Sequence, residues 1–388
     1  GAIVLVGMPG AAAAAPPSLN QRLSDEEARR RFTPRPEDLQ NQGNPQRPGG
    51  PPPQQPQGNL STAAVGARVD SLLRVSGALV RVNPSGMING LIRAFSNPSF
   101  DPAKAIPTVV LRDEDFGRIV RLMGNSAMVR TAPVLSFEIR NTVYPGVETE
   151  HNYLAEIPGT NPNEVVMLGG HLDSWHAATG ATDNAAGSAV MMEAARILAK
   201  VFRETNTRPR RTIRVALWTG EEQGLLGSRA YVEGTFGTAE NPKPAFAGFN
   251  GYLNVDSGTG RLRGASVFGP TEAAEMLDRI LEPLDSLGVA GARPTFSRNI
   301  GGSDHTSFNN AGLPGIGMGQ DPIVYGSTTW HTNVDTYERL LPRDLQQAAV
   351  TVAVAVYHLA TRPETLPRFS TQDMPPNPNA PRPAPGSR

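Results

Sequence analysis

The chain contains no cysteine. Disulfides, thiol nucleophiles and thiolate-bound zinc are therefore excluded, so any metal must be held by imidazole and carboxylate. It also lacks an excess of either charge: 36 Lys and Arg stand against 36 Asp and Glu in 388 residues. Nothing in that balance favours nucleic acid or an anionic membrane as a partner. No apolar run approaches the roughly 20 residues that a membrane-spanning helix needs. The chain opens Gly1-Ala-Ile-Val-Leu-Val without an initiator Met or a basic leader. We read Ile3 to Val6 as a buried strand, and the chain as a fragment or processed form whose natural start is absent.

What is abundant is proline and glycine, with 36 and 40 residues, concentrated in two stretches. Residues 34–60, with Arg47-Pro-Gly-Gly-Pro-Pro-Pro-Gln-Gln-Pro-Gln57, have too little apolar surface to offset the entropy of ordering, and are expected as a disordered insertion. Residues 369–388 are expected as a disordered tail for the same reason. Between them the periodicity predicts an α/β protein. A smaller unit, residues 1–133, has strands at 3–6, 78–82 and 108–111 and helices at 24–31, 63–73 and 113–123. A larger unit, residues 134–368, alternates strands at 134–142, 151–157, 164–170, 212–219, 248–254 and 315–318 with helices at 185–203, 225–232, 271–287 and 343–360. Such alternation implies a mainly parallel sheet with helices on both faces.

The chemistry gathers at strand ends. Val165-Val-Met-Leu-Gly-Gly runs into His171-Leu-Asp173, Arg214-Val-Ala-Leu-Trp-Thr into Glu221-Glu222, and Gly251-Tyr-Leu-Asn-Val into Asp256. Ligands of open α/β sheets bind beyond the carboxyl ends of the strands. A histidine and four carboxylates delivered to one rim repel one another unless cations neutralise them. Asp183, in Thr182-Asp-Asn-Ala-Ala-Gly187, stands at a helix start, where it is either a cap or a carboxylate bridging two metals. Glu221 and Glu222 cannot point the same way, so one can bind metal while the other takes a proton from water; two solvated glutamates at a helix start are the plainer alternative. His331, in the polar loop Trp330-His-Thr-Asn-Val-Asp335, is a further ligand candidate. His176 and His305 lie in loops near the site and are candidates for substrate contact, whereas His151 and His358 fit structural or exposed positions.

Together these motifs resemble the co-catalytic di-zinc exopeptidases, which include secreted bacterial aminopeptidases and the carboxypeptidase Q branch. The resemblance rests on His171-Leu-Asp-Ser-Trp175, Thr182-Asp-Asn-Ala-Ala-Gly187, Leu217-Trp-Thr-Gly-Glu-Glu-Gln-Gly224, Asn254-Val-Asp-Ser-Gly258, Gly302-Ser-Asp-His-Thr-Ser-Phe308 and Trp330-His331, in the family's order across residues 134–365. It implies two zinc ions per chain, one on His171 and Asp256, the other on Glu222 and His331, with Asp183 bridging. It further implies Glu221 as the base that activates the bridging water, Asp173 as the residue that orients His171, and short peptides as substrates. Trp330, His305, Asp304 and His176 are the candidates for substrate binding. The amino-terminal unit resembles a protease-associated domain.

One departure stands out: Trp330 occupies the place where well-studied relatives carry the tyrosine that stabilises the oxyanion, which leaves that donor open. A glutaminyl-peptide cyclase, which shares the fold and this Trp, is the enzymatic alternative, and a non-catalytic receptor-like binding module is the other. Arg229, Arg298 and Asp304 are the charged candidates for recognising a chain end. The resemblance implies a secreted or periplasmic protein, and a homodimer is the assembly considered.

Overall fold

The computed structural model describes residues 2–7, 21–33, 62–93, 101, 104–124, 133–142, 144, 149–299 and 301–377; the expected insertion at 34–60 lies outside them. Strands β1 (Ile3–Leu5), β2 (Val80–Pro84) and β3 (Thr108–Leu111) form a parallel three-stranded sheet in that order. Helix α1 (Asp25–Phe32) opens with a capping box, Ser24 and Glu27 satisfying each other's backbone N–H groups. Helix α2 (Thr62–Val75) precedes β2, with Asp70 paired to Arg81, and α3 (Asp113–Gly124) follows β3.

The larger sheet has seven strands. In chain order they are β4 (Tyr153–Ile157), β5 (Asn161–His171), β6 (Arg211–Trp218), β9 (Phe249–Val255), β10 (Leu262–Phe268), β11 (Ala292–Thr295) and β12 (Gly315–Gln320), with a two-residue pair, β7 (Gly237–Thr238) and β8 (Asn241–Pro242), outside the sheet. The spatial order is β11-β10-β12-β9-β5-β6-β4. Strands β12, β9, β5 and β6 run parallel; β4 is antiparallel to β6 and β10 to β12, with β11 parallel to β10. The mainly parallel sheet is as expected.

Strand β5 shows why both faces are covered. Val166 and Leu168 point into one apolar cluster, with Val190 and Leu198 of α4 (Ala186–Glu204) and Val352 and Val356 of α8 (Pro342–Thr361). Val165 and Met167 point into the other, with Trp218, Tyr252 and Phe308, beside α5 (Leu226–Thr235) and α7 (His305–Ala311). A period of two against two helical layers requires a strand apolar throughout. Helix α6 (Thr271–Leu281) completes the first layer.

Three local readings are corrected. The strand expected at 134–142 is not a strand: Val134 is 93% exposed and no sheet edge receives it. The helix expected to reach residue 287 ends at Leu281, because Pro283 lacks the N–H to continue it, and a tighter turn, Glu282–Leu287, follows. Of the expected tail, residues 369–377 are described, and Phe369 packs on the large unit, its ring 5.2 Å from that of Phe268.

Helix α1 packs on β10 and β11 of the large sheet rather than beside β1. Phe32 fills a hollow left by two glycines: a Cβ on Gly264 would lie 2.4 Å from Phe32 Cγ, and one on Gly319 2.3 Å from Cζ. Asp25 pairs with buried Arg263, and Arg22 with Asp344 at 2.7 Å. No helix among the described residues is long and apolar enough to cross a membrane.

Candidate metal centre

Four of the chemistry-bearing side chains stand at or just past strand ends, and two, Asp183 and His331, stand in loops. His171 is the last residue of β5 and is fully buried. Its Nδ1 lies 2.9 Å from the Asp173 carbonyl, which can only accept, so Nδ1 carries the proton and Nε2 is left to face the cluster. Strand β9 delivers Asp256 and the turn after β6 delivers Glu221 and Glu222. Asp183 lies on the turn before α4, where the Asp183–Asn184 peptide is cis. Gly187, in the first turn of α4, lets that turn press against β9, since a Cβ there would meet the Val255 carbonyl at 2.1 Å.

The distances join these residues into two groups that share one carboxylate. His171 Nε2 lies 3.4 Å from Asp183 Oδ1 and 3.4 Å from Asp256 Oδ2. His331 Nε2 lies 3.2 Å from the other oxygen of Asp183 and 3.0 Å from Glu222 Oε2. In each triad, one ligand atom per residue falls within 4.8 Å of the others. Glu221 stands beside the first group, its Oε2 3.9 Å from His171 Nε2, and belongs to neither triad.

In the polypeptide alone, protons are the remaining means of neutralising this charge. Burial pushes Glu221 up to about 9, against the pull of His171, and nearby Asp256, Asp304 and Glu222 push it further. Burial likewise raises Glu222. Burial works against a charged His331, yet its hydrogen bonds to the Asp183 and Glu222 carboxylates bring it up to about 9, and the negative charges of Asp256 and Asp183 hold His171 well above its ordinary value against the same cost of burial. Asp183, despite burial, is held down to about 2 by the two imidazoles. Buried His171 Nε2 and Glu222 Oε1 make no hydrogen bond among the described residues. Two imidazoles, three carboxylates and buried atoms of this kind suit divalent cations, and the donor set suits zinc.

The residues that fix the ligands differ in part from those the sequence suggests. Asp173 holds His171 through its backbone carbonyl. Its carboxylate instead accepts the backbone N–H groups of Glu221 and Glu222, at 3.1 and 3.0 Å. Asp335, which the sequence reading passed over, does the same for Thr182 and Asp183, at 2.6 and 3.0 Å.

A cavity of about 480 Å³ opens over the cluster, lined by Asp183, Glu221, Glu222, Asp256 and His331 together with Gly224, Leu225, Asn299, Gly302, Thr306, Tyr325 and Trp330. Trp330 is where the sequence placed it, its ring 4.1 Å from that of His331. Asp304 and His305 do not line the cavity: Asp304 is fully buried, and half-buried His305 packs against Gly301 and against Gly317 of β12, where desolvation lowers it to about 4. His176 is exposed and outside the lining. Tyr325 was not foreseen; its hydroxyl lies 3.4 Å from Asp256 Oδ1. An aromatic in the polar loop that leads to His331 was the available signal.

The family model described as peptidase family M28 matches residues 152–356, a stretch holding every ligand above. The chain belongs to that family. Among M28 relatives, mouse carboxypeptidase Q is 31% identical over 269 residues, covering 69% of this chain and 53% of that protein. Leupeptin-inactivating enzyme 1 of Streptomyces exfoliatus is 30% identical over 227 residues, covering 54% of this chain and 49% of the enzyme. The chain thus spans about half the length of these relatives. In fold it resembles the crystal structure of a peptidase M28 precursor from Shewanella amazonensis, with a TM-score of 0.61 and 24% identity over 76% of this chain and 63% of that one.

Proposed function

We propose that this M28 chain is a zinc-dependent exopeptidase that binds two ions and removes residues from the amino ends of short peptides. The observation that carries the reading is Asp183, whose two oxygens each reach a different imidazole and so complete two triads at once. Divalent ions, when bound, would neutralise the carboxylates and polarise both a water molecule and the scissile carbonyl.

The chain's own residues do the rest. Glu221 is the base: it takes a proton from the attacking water as oxygen adds to the carbonyl carbon. It returns that proton to the amine when the C–N bond breaks. The Tyr325 hydroxyl, at the cavity wall, donates to the oxyanion formed in between. Neither Lys nor Arg lines the described cavity to pair with a substrate α-carboxylate, which favours action at the amino end. Arg298, the basic candidate for carboxylate recognition, is buried against Glu240 and the Asn310 carbonyl.

The test is metal content and turnover together. The chain should hold two zinc ions and release amino acids from dipeptides and aminoacyl amides, but not from N-acetylated peptides. Glu221→Gln should keep the zinc while kcat falls between about 10²- and 10⁴-fold. Full zinc occupancy without turnover on any free-amine substrate would sink the assignment.

A further inference from the structure

His331 is held in a conformation that side chains rarely adopt, with a φ of +60°, and such a residue persists only where its surroundings fix it. Part of the fixing is local: Thr332 Oγ1 donates to the Thr328 and Thr329 carbonyls, at 2.6 and 3.1 Å. The remainder comes from the far end of the chain. Asn333 N–H donates to the Ile92 carbonyl at 3.0 Å, and Ile92 N–H donates back to Asn333 Oδ1 at 2.8 Å. Arg93 pairs with Thr332 as an isolated antiparallel bridge, and its guanidinium lies 5.7 Å from the centre of the Trp330 ring.

That segment is itself tied to the small sheet. Arg93 N–H donates to Ser85 Oγ at 2.8 Å, and Ser85 N–H to the Leu111 carbonyl of β3 at 2.9 Å. Gly86 N–H donates to Asp113 Oδ1 at the start of α3, at 2.7 Å. A continuous set of hydrogen bonds therefore runs from the amino-terminal unit to the loop that carries His331. The His171 ring is held by Asp173 and its backbone carbonyl accepts from Ser188 Oγ, while Asp183, shared by both triads, is tied to the loop through Asp335.

We infer that residues 92–93 brace the His331 loop, and that Asn333 is a positioning residue through which the amino-terminal unit sets metal affinity chiefly at the Glu222–His331 side. The inference rests on the two-ion reading of the cluster. Removing the Asn333 acceptor strands the Ile92 N–H and frees the loop to leave its strained conformation. The aspartate variant keeps an acceptor oxygen at the same position.

The experiment is zinc titration of the full chain against a chromophoric chelator, with thermal unfolding alongside. The parent chain should take up two equivalents. In Asn333→Ala one equivalent should weaken about tenfold and the other much less, and Asn333→Asp should restore most of that loss. Arg93→Ala, which leaves the backbone bonds in place, should weaken the same equivalent about threefold, and serves if Asn333→Ala fails to fold. Two unchanged equivalents in folded variants overturn the inference alone, as does equal weakening of both equivalents with a lowered unfolding temperature. A parent chain that takes up no zinc overturns the metal reading and this inference with it.

Discussion

At the scale of single residues, the cluster is held chiefly by groups that bind no metal. Asp173 and Asp335 each tie down two backbone N–H groups next to a ligand, so the ligands' backbones are fixed before any cation arrives. Tyr325 is the test of how the remaining charge is handled. Tyr325→Phe keeps the ring against Gly258 and removes only the donor. We expect kcat to drop about 10²- to 10³-fold with KM and zinc content unchanged; an unchanged kcat would return the oxyanion role to another group. His305 gives a prediction that needs no metal. Burial holds its folded pKa at about 4, below the ordinary 6.5, so the folded state refuses a proton that the unfolded chain accepts. Its contribution is whole above pH 6.5 and is lost as pH falls toward 4, about 2 kcal/mol by pH 5. In urea unfolding, the change in stability from pH 7 to pH 5 should be about 2 kcal/mol less favourable in the parent than in His305→Gln.

Among the residues of the two triads, His171, Glu222 and Asp256 were legible because each ends or follows an apolar strand, whereas Asp183 and His331 stand in loops and rested on the motif resemblance. Asp304 and His305 lie outside the cavity lining, because adjacency to the motif says nothing about which way a side chain turns.

At the scale of elements, legibility tracked apolar pattern. Strand β5 reads as continuous apolar sequence and was found. Strand β10 contains Arg263 and Gly264, and β11 contains Arg293 and Pro294, so neither shows a strand's period. Their residue choices make sense only once α1 is placed on them: Arg263 meets Asp25, and Gly264 makes room for Phe32. This fit predicts coupling. Phe32→Ala should destabilise the chain by about 3–5 kcal/mol. Gly319→Ala should also destabilise it, but cost far less when Phe32 is already alanine, a sign that a denaturation double-mutant cycle reads directly. Additive effects would mean that the ring does not occupy the hollow.

At the scale of the whole molecule, two sheets share one chain without dividing it cleanly. Strand β1 lies in the small sheet, α1 packs on the large one, α2 to α3 return to the small unit, and β4 onward build the large sheet again. Sequence reading assigned residues 1–133 to one unit because a second run of alternating strands and helices begins near 133, whereas the excursion of α1 is specified by contacts that such a pattern does not report. The two units are therefore laced together instead of hung on a single thread. A site-specific protease cut introduced between residues 41 and 56 should give two pieces that travel as one through gel filtration and keep the parent's zinc content. The leading piece would still be gripped at both ends, by the β1 pairing and by the seat of Phe32. Pieces that part under native conditions would show that the lacing is too weak to matter.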